Sequence, residues 1–207
     1  MARVVAEFPV NIFAVPSAEQ DITILRGRMA KCTPPDLRSR VMETKPFMVD
    51  ERVRWSDVDY AGIIFYGAYF RFFELAEMEL FREAGVPYSD VFERFDIWLP
   101  RVHLDCDFMY PARLDDALRV AAYFTRFGTS SISIKFDVLH LGTRKLAAAG
   151  HVVLVCTGRD ELKPRPLPEE LRATLERFEM SESAARSHLG LLEGSPGAEA
   201  LSSDSPA

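Results

Sequence analysis

The chain has 207 residues, of which 48% are hydrophobic, 11% aromatic and 27% charged, and its formal net charge is −6. This length suits one globular domain with terminal extensions. An acidic balance lacks the basic excess that binding to a nucleic-acid backbone requires, so we expect no nucleic-acid partner. The longest apolar run is far below the roughly 20 residues of a membrane-spanning helix, so we also expect no membrane insertion.

Cysteine and histidine usage indicates the compartment and argues against a metal site. The three cysteines lie far apart without a CxxC pair, which is typical of reduced thiols in the cytoplasm. No two of the four histidines have the i, i+4 spacing of a helical metal motif. We therefore expect a cytoplasmic protein that uses neither a metal nor another cofactor. His103 and Asp105 are interpreted as outward polar positions of a strand.

Hydrophobic periodicity and the positions of turn-forming residues divide the chain into three parts. Residues 1–45 have no sustained period, which predicts a poorly ordered extension or a mis-assigned start. Residues 46–178 form the predicted domain. It opens with a period-2 strand from Phe47 to Trp55, and an amphipathic helix follows from Tyr66 to Ala84. Residues 179–207 are rich in small and turn-forming residues, which predicts a flexible tail.

The second half of the domain is rich in β-branched and aromatic residues. Its four segments, beginning "IWLPRVH", "LRVAAYF", "SISIKFD" and "KLAAAGH", are separated by short turns. This pattern predicts an antiparallel meander. The apolar stripe of the helix is wide, as expected for a helix that a sheet wraps. The predicted fold class is α+β, with a curved antiparallel sheet of about five strands around one long central helix.

This order of elements, with "DVDYAGIIFYGAY" at the first strand-to-helix junction, resembles the hotdog-fold thioesterases of the 4-hydroxybenzoyl-CoA thioesterase and YbgC type. The resemblance runs from about Val49 to Phe178. Two weaker segments also carry it, "GTSSISI" at the start of the penultimate strand and "KPRPLPEELRATL" after the last one. The resemblance implies a single hotdog domain.

The resemblance also implies two catalytic groups. The second aspartate of the D-x-D pair, here Asp59, corresponds to the catalytic carboxylate, and the backbone N–H of Tyr66 to the donor that polarises the thioester carbonyl. Free N–H groups at a helix start suit a developing oxyanion. A carboxylate beside that carbonyl can act as general base or as nucleophile, and the sequence leaves both open. The alternative for Asp59 is a cap of the following turn.

Further residues around the junction are candidates for substrate binding. Gly62 allows close approach of backbone or ligand. The apolar side chains of Ile63, Phe65 and Tyr69 are candidates for lining an acyl pocket, although such residues more often form core or subunit interface. In the family, the segment that holds Ser130 and Ser131 lies near the bound thioester and CoA, which makes both serines candidate ligand contacts.

Other carboxylates of this region have structural interpretations. Asp57 is expected to fix the loop by accepting backbone hydrogen bonds. Some relatives of this fold place the catalytic carboxylate on the central helix, where Glu74 and Glu77 lie here. We interpret these two residues as a solvated helix face, or one ion-paired with Arg71 or Arg82. A Glu74 side chain that points into the pocket would compete with Asp59 for the catalytic role.

The function that the resemblance implies is hydrolysis of an acyl-CoA thioester. The rivals are an acyl-ACP thioesterase of lipid or polyketide synthesis, with acyl carrier protein as partner, and a non-catalytic acyl-CoA-binding module. A hydratase is disfavoured because the Asp-x-x-x-x-His arrangement is absent. Family members pair into homodimers by joining sheet edges, often assemble into tetramers, and place their sites at the subunit interface. We expect the same here, since pairing also protects a long edge strand.

Overall fold

The structure, a computed structural model, describes residues 44–191. Almost all of the predicted N-terminal extension, and residues 192–207 of the predicted tail, lie outside the described residues. Among the helices that the structure describes, none is long and apolar enough to span a membrane.

The main sheet consists of five antiparallel strands, β1 (Phe47–Arg52), β3 (Arg101–Phe108), β4 (Ala117–Phe127), β5 (Ser131–His140) and β6 (Lys145–Val155). Their spatial order is β1-β4-β5-β6-β3. The predicted side-by-side meander holds only for β4, β5 and β6. A meander would place β3 beside β4, but β4 already has β1 and β5 as its two neighbours. Strand β3 instead lies at the far edge of the sheet, beside β6.

Strand β1 ends earlier than the period-2 pattern predicts. Trp55, the last position of that pattern, lies in a 3-10 turn (Trp55–Asp57), and its side chain is 78% exposed. The Asp57 carboxylate accepts a hydrogen bond from the Arg54 N–H, which closes the turn at 2.8 Å. A local side-chain-to-backbone bond therefore overrides the strand pattern.

The predicted central helix is α1 (Tyr69–Glu83). It starts one turn later than predicted, because residues Tyr66–Ala68 form a 3-10 turn instead. The predicted apolar stripe is its buried face, which includes Tyr69, Phe72, Phe73, Ala76 and Leu80. The apolar stripe of this amphipathic helix therefore packs into the hydrophobic core.

A glycine allows α1 to lie close to the sheet. The Phe73 ring stacks on Phe136 of β5, with the ring centroids 4.9 Å apart. Gly150 of β6 lies beneath, and a Cβ atom there would come within 2.5 Å of the Phe73 ring. A larger residue at position 150 would therefore require the Phe73 ring or its helix to shift.

Four short elements complete the domain, namely α2 (Tyr88–Arg94), β2 (Ile97–Trp98), β7 (Thr157–Gly158) and α3 (Glu169–Leu175). Strands β2 and β7 form a separate two-stranded antiparallel sheet. This pairing splits the predicted strand "IWLPRVHLDCDFMY" into two elements, β2 and β3.

Part of the segment that was predicted as a flexible tail is helical: residues 182–188 form helix α4 (Glu182–His188). Its Arg186 donates hydrogen bonds of 3.1 and 3.2 Å to the buried Asp137 of β5. Leu189, just after the helix, packs against Ala121 and Leu139. Composition did not predict α4, because the helix has no apolar stripe of its own. Charge pairing and packing with residues distant in the sequence hold it against the sheet.

Candidate active site

Asp57 anchors the loop between β1 and α1. Its side chain is only 3% exposed, and Arg71 of α1 binds both carboxylate oxygens. Its backbone carbonyl also accepts the Phe65 N–H at 3.0 Å. Burial acts to raise the pKa of Asp57, but hydrogen bonds from Arg71 and Arg54 outweigh it, so the pKa lies below its ordinary value. Asp57 fixes the loop, as the sequence predicts.

Asp59 lies at the exposed tip of the same loop. Its Oδ1 accepts the Ala61 N–H at 2.8 Å, which forms an Asx turn. Its backbone carbonyl accepts the Gly62 N–H and its N–H donates to the Ile63 carbonyl, both at 3.0 Å. Within residues 44–191 its second oxygen, Oδ2, has no hydrogen-bond donor. Asp59 therefore caps the turn with one oxygen and leaves the other available.

A cavity of about 370 Å³ opens beside this loop. One wall comes from the junction and the other from the end of β3 and the loop that follows it. The lining residues are Asp59, Ile63, Ile64, Phe65, Tyr66, Tyr69, Phe108, Met109, Tyr110 and Pro111. The Tyr69 and Phe108 rings pack against each other, with centroids 5.3 Å apart, and join the two walls. The cavity thus combines one carboxylate with a largely aromatic lining.

Free backbone donors also lie at this cavity. The 3-10 turn at Tyr66 leads directly into α1, and the first bond inside it runs from the Ala68 N–H to the Phe65 carbonyl at 2.9 Å. In the described chain, the amides of Tyr66 and Gly67 have no backbone acceptor. Of these two residues Tyr66 lines the cavity and Gly67 does not, so the Tyr66 amide is the candidate donor there; the first amides of a helical segment have no acceptor within it.

The structure brings together most, but not all, of the candidate residues. Asp59, Tyr66, Ile63, Phe65 and Tyr69 line the cavity. Gly62 lies outside the lining, and its φ of +73° allows the tight turn of the loop.

Ser130 and Ser131 do not reach this cavity within one chain. Ser131 pairs with Val155 of β6, whereas Phe108 pairs with Ala148 of the same strand. The positions 148 and 155 are about 23 Å apart along an extended strand. The resemblance to the family groups these serines with the site, but the fold of a single chain does not.

Sequence reasoning missed one wall of the cavity, formed by Phe108, Met109, Tyr110 and Pro111. The Ile64 N–H donates to the Ala112 carbonyl at 2.9 Å, which ties this wall to the junction. Pro111 marks the segment as a turn. No local pattern indicates that the turn lies against residues nearly 50 positions earlier.

The two helix glutamates lie outside the cavity lining. Glu74 is exposed, and Glu77 is buried, with hydrogen bonds from the Tyr88 hydroxyl and Arg101. Burial raises the pKa of Glu77 and outweighs the opposing effect of Arg101. The predicted partner of Glu77 is therefore wrong. Glu77 pairs with Arg101, whereas Arg71 binds Asp57.

A second group of polar side chains lies on β3 and β6. Asp105 has His103 and His151 within hydrogen-bond distance of the same carboxylate oxygen. The two histidines are 48 positions apart in the chain, so no sequence spacing links them. Among the described residues, this is the group whose side chains could together hold a metal ion.

Five antiparallel strands packed against one long helix form the α+β arrangement expected of the hotdog fold. Residues 53–175 match the family model described as the thioesterase-like superfamily, and the chain belongs to that family. The predictions of a hotdog fold and of a thioester hydrolase are thereby confirmed.

Individual relatives agree with this assignment. The chain is 26% identical over 132 residues to the acyl-CoA thioester hydrolase YbgC of Escherichia coli O6:H1, covering 64% of this chain and 97% of that protein. It is 23% identical over 137 residues to a 1,4-dihydroxy-2-naphthoyl-CoA hydrolase of Acaryochloris marina, covering 66% and 100%. A solved thioesterase-superfamily structure from Jannaschia sp. CCS1 has a TM-score of 0.60 at 30% identity, covering 66% of this chain and 94% of that one.

Proposed function

We propose that this protein hydrolyses an acyl-CoA thioester to a free acid and CoA, with Asp59 and the Tyr66 amide as its catalytic groups. The observation that carries the proposal is that Asp59 and Tyr66 line one cavity in a member of the thioesterase-like superfamily. Oδ2 of Asp59, which has no donor within the described part of the chain, can accept a proton or attack a carbonyl. The Tyr66 N–H, which has no backbone acceptor there, can donate to the oxyanion that forms.

Two reaction routes are compatible with these groups. In the first, Asp59 accepts a proton from a water whose oxygen attacks the thioester carbon, and the C–S bond then breaks to release the CoA thiolate. In the second, Asp59 Oδ2 attacks the carbon, the thiolate leaves, and water hydrolyses the resulting anhydride. In both routes the Tyr66 N–H stabilises the negative carbonyl oxygen of the tetrahedral intermediate.

The cavity lining supports an apolar or aromatic acyl group as substrate. Rings of Phe65, Tyr69, Phe108 and Tyr110 surround a volume of about 370 Å³, within the usual range for small-molecule sites. The names of the Escherichia coli and Acaryochloris marina relatives both specify a CoA thioester, which supports CoA as the carrier here.

We also propose a homodimer that forms through strand β3. This strand is at an edge of the sheet, and its apolar residues Val102, Leu104 and Phe108 are 60%, 40% and 52% exposed. A second copy would cover the unpaired edge and these apolar groups. Because Phe108 also lines the cavity, such an interface would lie beside the active site.

The cytoplasm is the compartment that we propose for the enzyme. Cys106 and Cys156 are free thiols, and Cys156 is buried. Free, buried thiols are the usual state of cysteine in a reducing compartment.

The test of the proposed function is a thioester panel with the wild-type protein. Aromatic, short-chain and long-chain acyl-CoA are compared with the matching acyl-ACP, and the released thiol is measured. We expect turnover of at least one acyl-CoA, with a higher kcat/KM than for the same acyl group on ACP. Turnover of acyl-ACP alone would contradict CoA as the carrier, and no turnover of any thioester would contradict the proposed function.

A further inference from the structure

The cluster of His103, Asp105 and His151 lies on the opposite face of the sheet from the cavity. Gly150 faces α1, because a Cβ atom there would meet the Phe73 ring. Neighbouring residues of a strand point to opposite faces, so His151 points away from α1. Asp105 is its direct partner on β3 and shares that outer face. The sheet therefore separates this cluster from Asp59 and the proposed hydrolysis.

The three side chains converge on a single atom. His103 Nε2 lies 2.7 Å and His151 Nδ1 lies 3.1 Å from the same oxygen, Oδ2 of Asp105. One ligand atom from each residue lies within 4.8 Å of the other two. These contacts are hydrogen bonds, and they place two imidazole nitrogens and one carboxylate oxygen close enough together to share a ligand.

These distances are close to those of a metal site. A tetrahedral zinc ion with bonds of about 2.0–2.1 Å holds its ligand atoms about 3.3 Å apart. The two distances to Asp105 Oδ2, 2.7 and 3.1 Å, need to increase only slightly to reach that value. His103 and Asp105 are more than half exposed, so an ion can enter from solvent and keep a water as its remaining ligand.

The charges around the cluster also suit a cation. Lys135 of β5 lies directly opposite His151, but Glu182 of α4 binds its ammonium group. Asp107, two residues beyond Asp105 on β3, adds a negative charge to the same face. Glu182 therefore offsets the charge of Lys135, and the carboxylates of Asp105 and Asp107 place negative charge beside the two imidazoles.

We propose that His103, Asp105 and His151 bind one divalent transition-metal ion of the zinc type. Two imidazole nitrogens and one carboxylate oxygen are a donor set that such ions prefer, whereas Ca²⁺ and Mg²⁺ prefer oxygen ligands alone. The ion would join the edge strand β3 to β6. Since β3 ends at Phe108 in the cavity wall, the ion would stabilise that wall without contacting the substrate.

The experiment uses the full-length, untagged protein after treatment with a chelator and removal of that chelator. Zn²⁺ binding is measured by calorimetry, and Co²⁺ binding by the visible absorption of the bound ion. We expect one ion per chain, and a higher midpoint of thermal unfolding when Zn²⁺ is present. Neither readout depends on thioester hydrolysis, so failure here and failure of the proposed function are distinguishable.

Variants of the ligands decide the assignment. We expect His103→Ala, His151→Ala and Asp105→Asn each to weaken Zn²⁺ binding by at least about 10-fold. The matched control is His188→Ala, which removes an exposed imidazole from α4 and should leave binding unchanged. The exposed positions of His103 and Asp105 make folded variants the expectation, and circular dichroism checks this. Absence of Zn²⁺ binding, or binding that survives the ligand variants, would overturn the proposal.

Discussion

Asp57 and Asp59 are separated by one residue in the same loop, and they differ in burial, in partners and in charge environment. The Asp57 side chain is 3% exposed and bound by Arg71 and the Arg54 N–H. Asp59 is exposed at the rim of the cavity and uses one oxygen for the Ala61 N–H. Both oxygens of the Asp57 carboxylate accept hydrogen bonds, whereas Oδ2 of Asp59 has no donor among residues 44–191.

This difference arises from the local backbone. The 3-10 turn at Trp55–Asp57 directs the Asp57 side chain inward onto helix α1. The Asx turn that follows is closed by the Ala61 N–H on Asp59 Oδ1, and the Gly62 N–H bonds the Asp59 carbonyl, so Asp59 is carried outward to the cavity. Removing one partner of a buried ion pair is destabilising because it leaves an uncompensated charge, whereas an exposed carboxylate at a cavity rim can reach a ligand. Two aspartates separated by one residue therefore have different structural environments, and we expect different effects when each is replaced.

The largest effect on stability is expected for Asp57→Asn. This change removes the buried negative charge and leaves the Arg71 guanidinium without its ionic partner. Breaking a buried pair costs about 3–5 kcal/mol, and the 29% exposure of Arg71 reduces the expected cost here to about 2–4 kcal/mol. Urea denaturation measures the free energy of unfolding. A loss comparable to that of Asp59→Asn would show that the two aspartates do not differ in their structural roles.

A smaller effect is expected for Gly62→Val, which tests whether the shape of the loop matters for Asp59. Gly62 has φ of +73°, and a β-branched residue is strained in that region by about 1–2 kcal/mol. The matched control is Gly62→Asn, because asparagine tolerates positive φ. We expect Gly62→Val to lower both the free energy of unfolding and kcat/KM, and Gly62→Asn to retain more of each. Equal results for the two variants would contradict a role for this backbone conformation.

The smallest effect is expected in the pH dependence of stability. The folded-state pKa of Asp57 lies below its ordinary value, so Asp57 binds protons less readily when folded. Its contribution is fully present above the unfolded pKa of about 3.9 and is lost as the pH falls through the folded pKa. The stability difference between wild type and Asp57→Asn should therefore narrow below about pH 4.

Glu77 and Asp137 titrate in the opposite sense, since burial raises the pKa of each. Both are present in wild type and in Asp57→Asn, so their effects cancel when the two proteins are compared. Acid unfolding curves of both proteins provide the measurement. A stability difference that stays constant down to pH 3 would contradict the predicted pKa shift of Asp57.

Local patterns predicted much of the fold. The period-2 strand, the apolar stripe of α1 and the strand-rich second half all follow from short-range periodicity. The candidate residues next to Asp59 and Tyr66 were found for the same reason, because the loop and the start of the helix are contiguous in the sequence.

Long-range contacts account for what the sequence did not predict. The pairing of β3 with β6 brings His103 to His151, and the contact of Ile64 with Ala112 brings the second cavity wall to the junction. Arg71 reaches Asp57 across 14 positions of sequence. Each contact depends on topology, and short-range periodicity carries no information about it.

The central claim is that Asp59 carries out the hydrolysis, and kcat/KM of Asp59→Asn tests it most directly. The substrate is the thioester that wild type hydrolyses best, and the matched control is Glu74→Gln, which neutralises an exposed carboxylate outside the cavity lining. We predict a loss of about 100-fold or more for Asp59→Asn with the unfolding midpoint nearly retained, and wild-type kcat/KM for Glu74→Gln. A folded Asp59→Asn protein with the activity of wild type would contradict the claim.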